Sequence, residues 1–153
     1  MITGSQNMAD IFSIFSDGII VNHTCNGNRL ILHVEIPYLA RCICPDFLGF
    51  TIELINIKNI SFKTWPSEAG GKERLLVNPV HIFGTDLEIV ESKVLNGCVE
   101  ILCTNPIEEQ DFSGGALNFE AEALAVFDDS GRQYSLEELS SINKNYLKKW
   151  AIR

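Results

Sequence analysis

The chain has 153 residues, 46% of them hydrophobic, and 12 basic against 20 acidic side chains give a net charge of −8. The hydrophobic content and modest charge density exclude a disordered chain, and the length fits one folded domain spanning residues 1–153. The acidic balance argues against a general nucleic-acid binder and against adsorption to anionic membranes, since both need a basic footprint.

The chain opens Met1-Ile2-Thr3-Gly4-Ser5-Gln6-Asn7-Met8, and residues 1–8 read as a flexible lead-in. They lack a basic segment followed by a long apolar run, so a secretory signal is not expected. No apolar stretch approaches the ~18–20 residues a spanning helix needs. Five cysteines, Cys25, Cys42, Cys44, Cys98 and Cys103, form an odd set without disulfide-framework spacing. Together these features lead us to expect a cytoplasmic protein.

Ile11, Phe12 and Phe15 share one face of a short helix predicted over Asp10 to Phe15. Gly18, after Asp17, supplies the positive φ that such a stop prefers. Asn26-Gly27 then sits between two β-rich runs, Ile19 to Cys25 and Asn28 to Ile36. Asn-Gly favours a two-residue type I′ turn, which would place Ile19 opposite Val34, Val21 opposite Leu32 and His23 opposite Leu30. Cys42 and Cys44 are expected on one buried face of a strand. A shared metal would need further ligands at recognisable spacing, and the chain has none.

Phe50, Ile52 and Leu54 alternate on one parity, Ile55 and Ile57 on the other, and Ile60 and Phe62 return to the first. A bulge or tight turn at Asn56 to Asn59 explains the switch. Trp65-Pro66 marks a strand exit into the Ser67 to Glu73 loop. Leu75 to Phe83 reads as a strand that Pro79 confines to an edge or breaks. Asn96-Gly97 centres a second hairpin, pairing Val94 with Val99, Lys93 with Glu100, Ser92 with Ile101, Glu91 with Leu102 and Val90 with Cys103. The opposed charges of Lys93 and Glu100 add ~0.2–1 kcal/mol and support that register. The pairs Gly70-Gly71 and Gly114-Gly115 match no phosphate-binding spacing and read as loops.

Leu117, Phe119, Ala121, Ala123, Ala125 and Phe127 alternate with polar residues as one half-buried strand, ended by Asp128-Asp129-Ser130-Gly131. Ser135-Leu136-Glu137-Glu138 is a capping box. Leu136, Leu139, Ile142, Tyr146, Leu147 and Trp150 then recur at helical spacing, with acidic residues early and Lys144, Lys148 and Lys149 late. This amphipathic C-terminal helix is expected to cover a sheet face. The fold expectation is α+β: a mainly antiparallel, curled sheet built from hairpins, with a short N-terminal and a longer C-terminal helix. A closed or sandwich-like β core with a helical appendage is the alternative. Val21, Leu32, Val34, Leu54, Val94, Ile101, Phe119 and Leu147 are the expected core of the covered face.

The histidines do not converge, since the register sets His23 and His33 on opposite faces, and His81 stands apart. No arrangement of nucleophile, histidine and acid is legible. Glu120 and Glu122 share a strand face, and Glu108, Glu109 and Asp111 sit together in a loop. Exposed carboxylates are usually solvated, but these could complement a basic partner, with Trp65 as an anchor.

The order Phe15-Ser16-Asp17-Gly18, a hairpin, Tyr38-Leu39-Ala40 and then Phe50 to Trp65 resembles small uncharacterised bacterial β-rich proteins. Some of these are classed with immunity proteins of polymorphic toxin systems. The resemblance covers residues 15–65 and transfers no catalytic residue. It implies a compact cytoplasmic protein that works by binding. The expectation is therefore a non-catalytic protein-binding module that covers a basic partner, without cofactor or metal. One alternative is a small-molecule binder or enzyme with a pocket in the curled sheet. Another is a homo-oligomer joined through a sheet edge or Trp65.

Overall fold

The computed structural model describes residues 1–66, 71–106 and 112–151. In chain order its elements are α1 (Ser5–Ile14), β1 (Ile19–Asn26), β2 (Arg29–Glu35), α2 (Pro37–Ala40), β3 (Gly49–Ile55), β4 (Lys58–Pro66) and β5 (Leu75–Leu76). They continue with α3 (Pro79–Ile82), β6 (Leu87–Leu95), β7 (Cys98–Thr104), β8 (Phe112–Glu120), β9 (Ala123–Asp128), β10 (Gln133–Tyr134) and α4 (Leu136–Ala151). The strands form one open antiparallel sheet in the order β10-β9-β3-β2-β1-β6-β7-β8-β4-β5. The fold is α+β, as the hairpin pattern and the two terminal helices imply. Ser67 to Gly70, the first part of the loop expected after Trp65-Pro66, lie outside the described residues.

The sheet divides into two halves of like build. One runs β1-β2-β3-β9-β10, the other β6-β7-β8-β4-β5. Each begins as a three-stranded meander and ends with two strands from the other half of the chain. The halves thus exchange their last two strands. They meet at a short seam, where β1 and β6 pair only through Ile19↔Glu88 and Ile20↔Leu87. A second connection lies at the opposite side. The chain leaves β3 for β4 through Asn56-Ile57, and leaves β8 for β9 through Ala121-Glu122. β3 pairs with β9 up to Ile55↔Ala123, and β4 resumes with β8 at Lys58↔Glu120. These four strands therefore make one bent two-stranded ribbon, and the bend is where the halves swap strands. Asn56 and Asn59 adopt positive φ of 53° and 55°, so the expected turn at Asn56 to Asn59 is this corner.

α1 fills the curl. Met8, Ala9, Ile11, Phe12, Ile14 and Phe15 are all buried, too much of the circumference for a surface helix. Phe15 stacks on Phe50 of β3 at 5.0 Å, and Phe12 meets Phe119 of β8 edge-on at 5.8 Å. The helix thus packs on both halves at once. The hydroxyls of Ser5, Ser13 and Ser16 donate to the carbonyls of Gly97, Ser92 and Val90, tying it to the β6–β7 hairpin. The helix begins at Ser5, earlier than Asp10, because the polar Ser5-Gln6-Asn7 turn leads directly into buried Met8. Ile2, within the expected lead-in, exchanges two backbone hydrogen bonds with Leu124, of 2.7 and 2.8 Å.

Several local expectations need correction. In the first hairpin the two turn residues are Gly27 and Asn28, with Asn26 paired to Arg29. Only Gly27 takes positive φ, the pattern of a type II′ rather than a type I′ turn. The displaced turn sets Leu30 opposite Cys25 and Leu32 opposite His23, and a bulge between Ile20 and Asn22 then sets Val34 opposite Ile20. Ile20 is buried, and Val21 is only half-buried. The second hairpin keeps the expected pairs from Val94↔Val99 to Glu91↔Leu102, with Asn96 and Gly97 both at positive φ. Lys93 and Glu100 form an ion pair at 3.6 Å. A bulge at Val90 then puts Ile89, not Val90, opposite Cys103.

At the end of α1, Asp17 rather than Gly18 has positive φ. Gly18 is required for space, since a Cβ there would lie 2.8 Å from the Phe15 carbonyl oxygen. Gly114 and Gly115 are not loop residues but buried members of β8. A Cβ at Gly114 would meet the Cys103 carbonyl at 2.3 Å, and one at Gly115 the Lys63 carbonyl at 2.4 Å. Cys42 and Cys44 follow α2 in a turn, exposed and half-buried respectively, not in a buried strand. Pro79 starts α3, with Asn78 capping it by accepting from the Val80 amide at 3.0 Å. The strand before it shrinks to the two-residue edge β5. The late strand breaks at Ala121-Glu122, and beyond the break Ala123, Leu124, Ala125 and Val126 are all buried, so β9 is covered on both faces rather than half-buried.

α4 has the expected capping box: Glu138 N–H donates to Ser135 Oγ, and Ser135 N–H to Glu138 Oε1. Its main packing partners are α1 and α2 rather than a bare sheet face. Leu139 is buried, but Leu147 and Trp150 are 55% and 57% exposed. Of the expected core, Leu32, Val34, Leu54, Ile101 and Phe119 are buried, while Val94, like Val21, is only half-buried.

The turn from β9 to β10 is organised by one buried carboxylate. Asp128 accepts from the Ser130 amide and hydroxyl, the Arg132 amide and the Tyr134 hydroxyl, the last at 2.7 Å. Burial pushes this carboxyl up, but the four hydrogen bonds outweigh it and hold it below its ordinary value of 3.8. Burial and the Asp128 carboxylate push the Tyr134 hydroxyl up to about 12.

Phe12→Ala should destabilise the protein by about 3–5 kcal/mol, because it empties the contact between α1 and β8; urea unfolding measures this. For Asp128 the folded carboxyl is the stronger acid. Its stabilising effect is therefore complete above the unfolded value of 3.8 and disappears as pH falls through the lower folded value. The melting-temperature gap between wild type and Asp128→Asn should be constant from pH 5 to 8 and should narrow below 3.8 in a pH series of thermal scans.

Candidate functional site

The bend of the ribbon brings three turns together. The β1–β2 turn supplies Asn28, whose carbonyl accepts the Ile57 amide at 3.2 Å. The β3–β4 corner supplies Asn56, Ile57 and Lys58, and the β8–β9 corner supplies Glu120, Ala121 and Glu122. These residues line an open cleft of about 530 Å³. Two contacts across the corner fix its walls. The Glu122 amide donates to the Ile55 carbonyl at 3.0 Å, and the Asn56 side-chain amide donates to the Glu122 carboxylate.

Glu120 is half-buried at the end of β8, and Glu122 is exposed just past it. Strand alternation alone would set them on one face; the fold instead sets them on either side of a bend, where they line the same hollow. The Cys98 thiol donates to Glu120 Oε1 at 3.3 Å. That hydrogen bond, then burial and the negative charge of Glu120, push the thiol above its ordinary value. Two carboxylates against one ammonium, Lys58, leave the lining negative. Such a lining accepts hydrogen bonds from ammonium or guanidinium groups.

The other expected contact residues do not join this cleft. Trp65 lies at the far end of β4, seven positions from Lys58 and roughly 23 Å away along an extended strand. It is half-buried, paired across the ladder with Gly114, whose missing side chain leaves room for the indole. Glu108, Glu109 and Asp111 lie outside the described residues. Asn28, Asn56 and Lys58 carry no sign in the sequence that they belong to a site. The doubled turn signal of Asn56 and Asn59 is legible there, but only the tertiary fold sets Asn56 beside Glu122.

The histidines are dispersed. His23 packs against the Phe83 ring at 5.4 Å, His33 Nδ1 lies 3.2 Å from Thr51 Oγ1, and His81 is exposed on α3. Cys103 is fully buried, and burial pushes its thiol up to about 12. Among the described residues no three His, Cys, Asp or Glu side chains are grouped so as to hold a metal ion. No helix among them is long and apolar enough to cross a membrane.

No protein-family model, curated protein or solved structure matches this chain.

Replacing Glu120 by Gln removes the negative charge beside Cys98 and weakens its strongest restraint. Cys98 alkylation at pH 8 should then be several-fold faster than in wild type, with buried Cys103 unreactive in both. Peptide mass mapping of the alkylated protein checks this.

Proposed function

We propose that the chain is a protein-binding module whose corner cleft receives basic side chains of a partner, with Glu120 and Glu122 as the accepting groups. The observation that carries this reading is their convergence from two sides of a bend onto one concave, negatively lined surface. The cleft walls are held by backbone pairing rather than by mobile loops, so the carboxylates are positioned before a partner arrives. Preorganised charge raises the association rate and selects against acidic partners. The net charge of −8 acts in the same direction.

An immunity-type role, in which the protein masks a basic site on a toxin, is the specific form we favour. It rests on the resemblance over residues 15–65 and on this acidic surface. The alternative of a ligand pocket inside the curled sheet has less support, because Phe12, Phe15 and Met8 of α1 fill that interior. The outermost strands β5 and β10 are two residues each, too short for copies to pair along them.

Affinity capture from a native cell extract at low salt should recover one basic protein in stoichiometric amount. The pair Glu120→Lys and Glu122→Lys should reduce its retention by more than tenfold, and raising the salt to about 0.5 M should do the same to wild type. A basic protein retained equally by wild type and the charge-reversed variant would overturn the assignment of this surface. Circular dichroism establishes that the variant is folded.

A further inference from the structure

A second cleft, unrelated to the corner, lies where α4 crosses α2. Tyr38, Arg41, Cys42, Tyr146, Lys149 and Trp150 line a volume of about 270 Å³. Its aromatic side chains form a continuous run. The Tyr38 and Tyr146 rings are 4.9 Å apart, and Tyr146 meets Trp150 at 6.0 Å. The run is partly open to solvent, with Trp150 57% exposed. This is unlike the aromatic contacts of the core, which are closed.

Two further observations define what such a surface would take. Among the described residues no carboxylate lines the cleft, while Arg41 and Lys149 do, on a protein whose net charge is −8. Tyr38 is anchored from beneath, its hydroxyl donating to the Ser16 carbonyl at 2.8 Å. Burial first, then the charge of Asp17 and the neighbouring Tyr146 hydroxyl, push that hydroxyl up to about 12, so it stays a neutral donor. Asp17 acts on this anchored end and is not part of the lining.

We propose that this cleft binds a small planar aromatic anion, its ring against the Tyr146 and Trp150 side chains and its anionic group held by Arg41 and Lys149. Aromatic faces accept flat rings of any substitution, whereas a guanidinium and an ammonium require negative charge on the ligand. Both requirements met together describe a nucleoside monophosphate or an aromatic carboxylate. The volume is near the lower end of small-molecule sites, which suits one ring system with one charged group. This ligand is independent of the partner proposed for the corner cleft.

Cys42 makes the test possible in the unmodified protein. It is exposed and lines the cleft, whereas Cys25 is exposed on the distant β1–β2 hairpin. Iodoacetamide labelling of the two thiols, followed by mass spectrometry, reads occupancy at one and controls for the other. At 5 mM, adenosine 5′-monophosphate or indole-3-carboxylate should slow Cys42 labelling at least threefold and leave Cys25 unchanged. Adenosine and inorganic phosphate, each offering half of the chemistry, should protect at least threefold less. Arg41→Gln with Lys149→Gln should weaken the effective ligand about tenfold by titration calorimetry. Protection by the nucleotide alone assigns a phosphate-bearing ligand, and protection by the indole acid alone assigns a carboxylate. Equal labelling of Cys42 with and without both anions would overturn the proposal. Protection by adenosine equal to that by its monophosphate would overturn the role of the cations.

Discussion

The packing of α1 inside the curled sheet is the constraint on which the rest of this structure depends. A five-stranded antiparallel half exposes an apolar face that water penalises, and two such halves could close on one another or on a third element. Here the third element is a ten-residue helix with buried side chains around most of its surface. Phe15 reaches one half and Phe12 the other. The helix therefore sets the separation of the halves, and the sheet need only be stitched at its margins. This accounts for a seam between β1 and β6 of just two residue pairs.

The second consequence is the exchange of strands. With the halves held apart by α1, β3 and β8 each continue into a strand that belongs to the opposite half. The ribbon bends at Asn56-Ile57 and Ala121-Glu122, and a bent ribbon cannot pair at its corner as it does along its arms. Backbone groups there turn to other partners, such as Ile57 to Asn28 and Glu122 to Ile55. The hollow left at the bend is polar because its lining comes from turn residues. The acidic cleft is in this sense a by-product of the topology, one that natural selection could furnish with carboxylates without disturbing the core.

The molecule presents two surfaces of opposite electrostatic character. The corner cleft is acidic and built from turn residues and the strand ends beside them. The α2–α4 cleft is aromatic and basic and is built from side chains of the two helices and of the turn after α2. Among the described residues they share no lining side chain.

The sequence by itself determined the features that depend on neighbours in the chain. The Asn96-Gly97 turn fixes its own hairpin because both residues tolerate positive φ, and Ser135 with Glu138 caps α4 through bonds three residues apart. The alternation of Phe50, Ile52 and Leu54 and the edge position before Pro79 were legible for the same reason. The first hairpin was not, because a turn displaced by one residue changes every pairing, a bulge at Val21 reverses which β1 side chains face inward, and nothing local to Ile19–Asn28 records them. Glu120 and Glu122 were recognisable as a pair, but their setting was not, since it required residues far apart in the chain to meet at one bend. Gly114 and Gly115 looked like a loop because the carbonyls that exclude a Cβ there belong to β7 and β4. Long-range packing alone decided these points: the space left for a side chain, and the face it turns to, are set by strands that the local sequence does not encode.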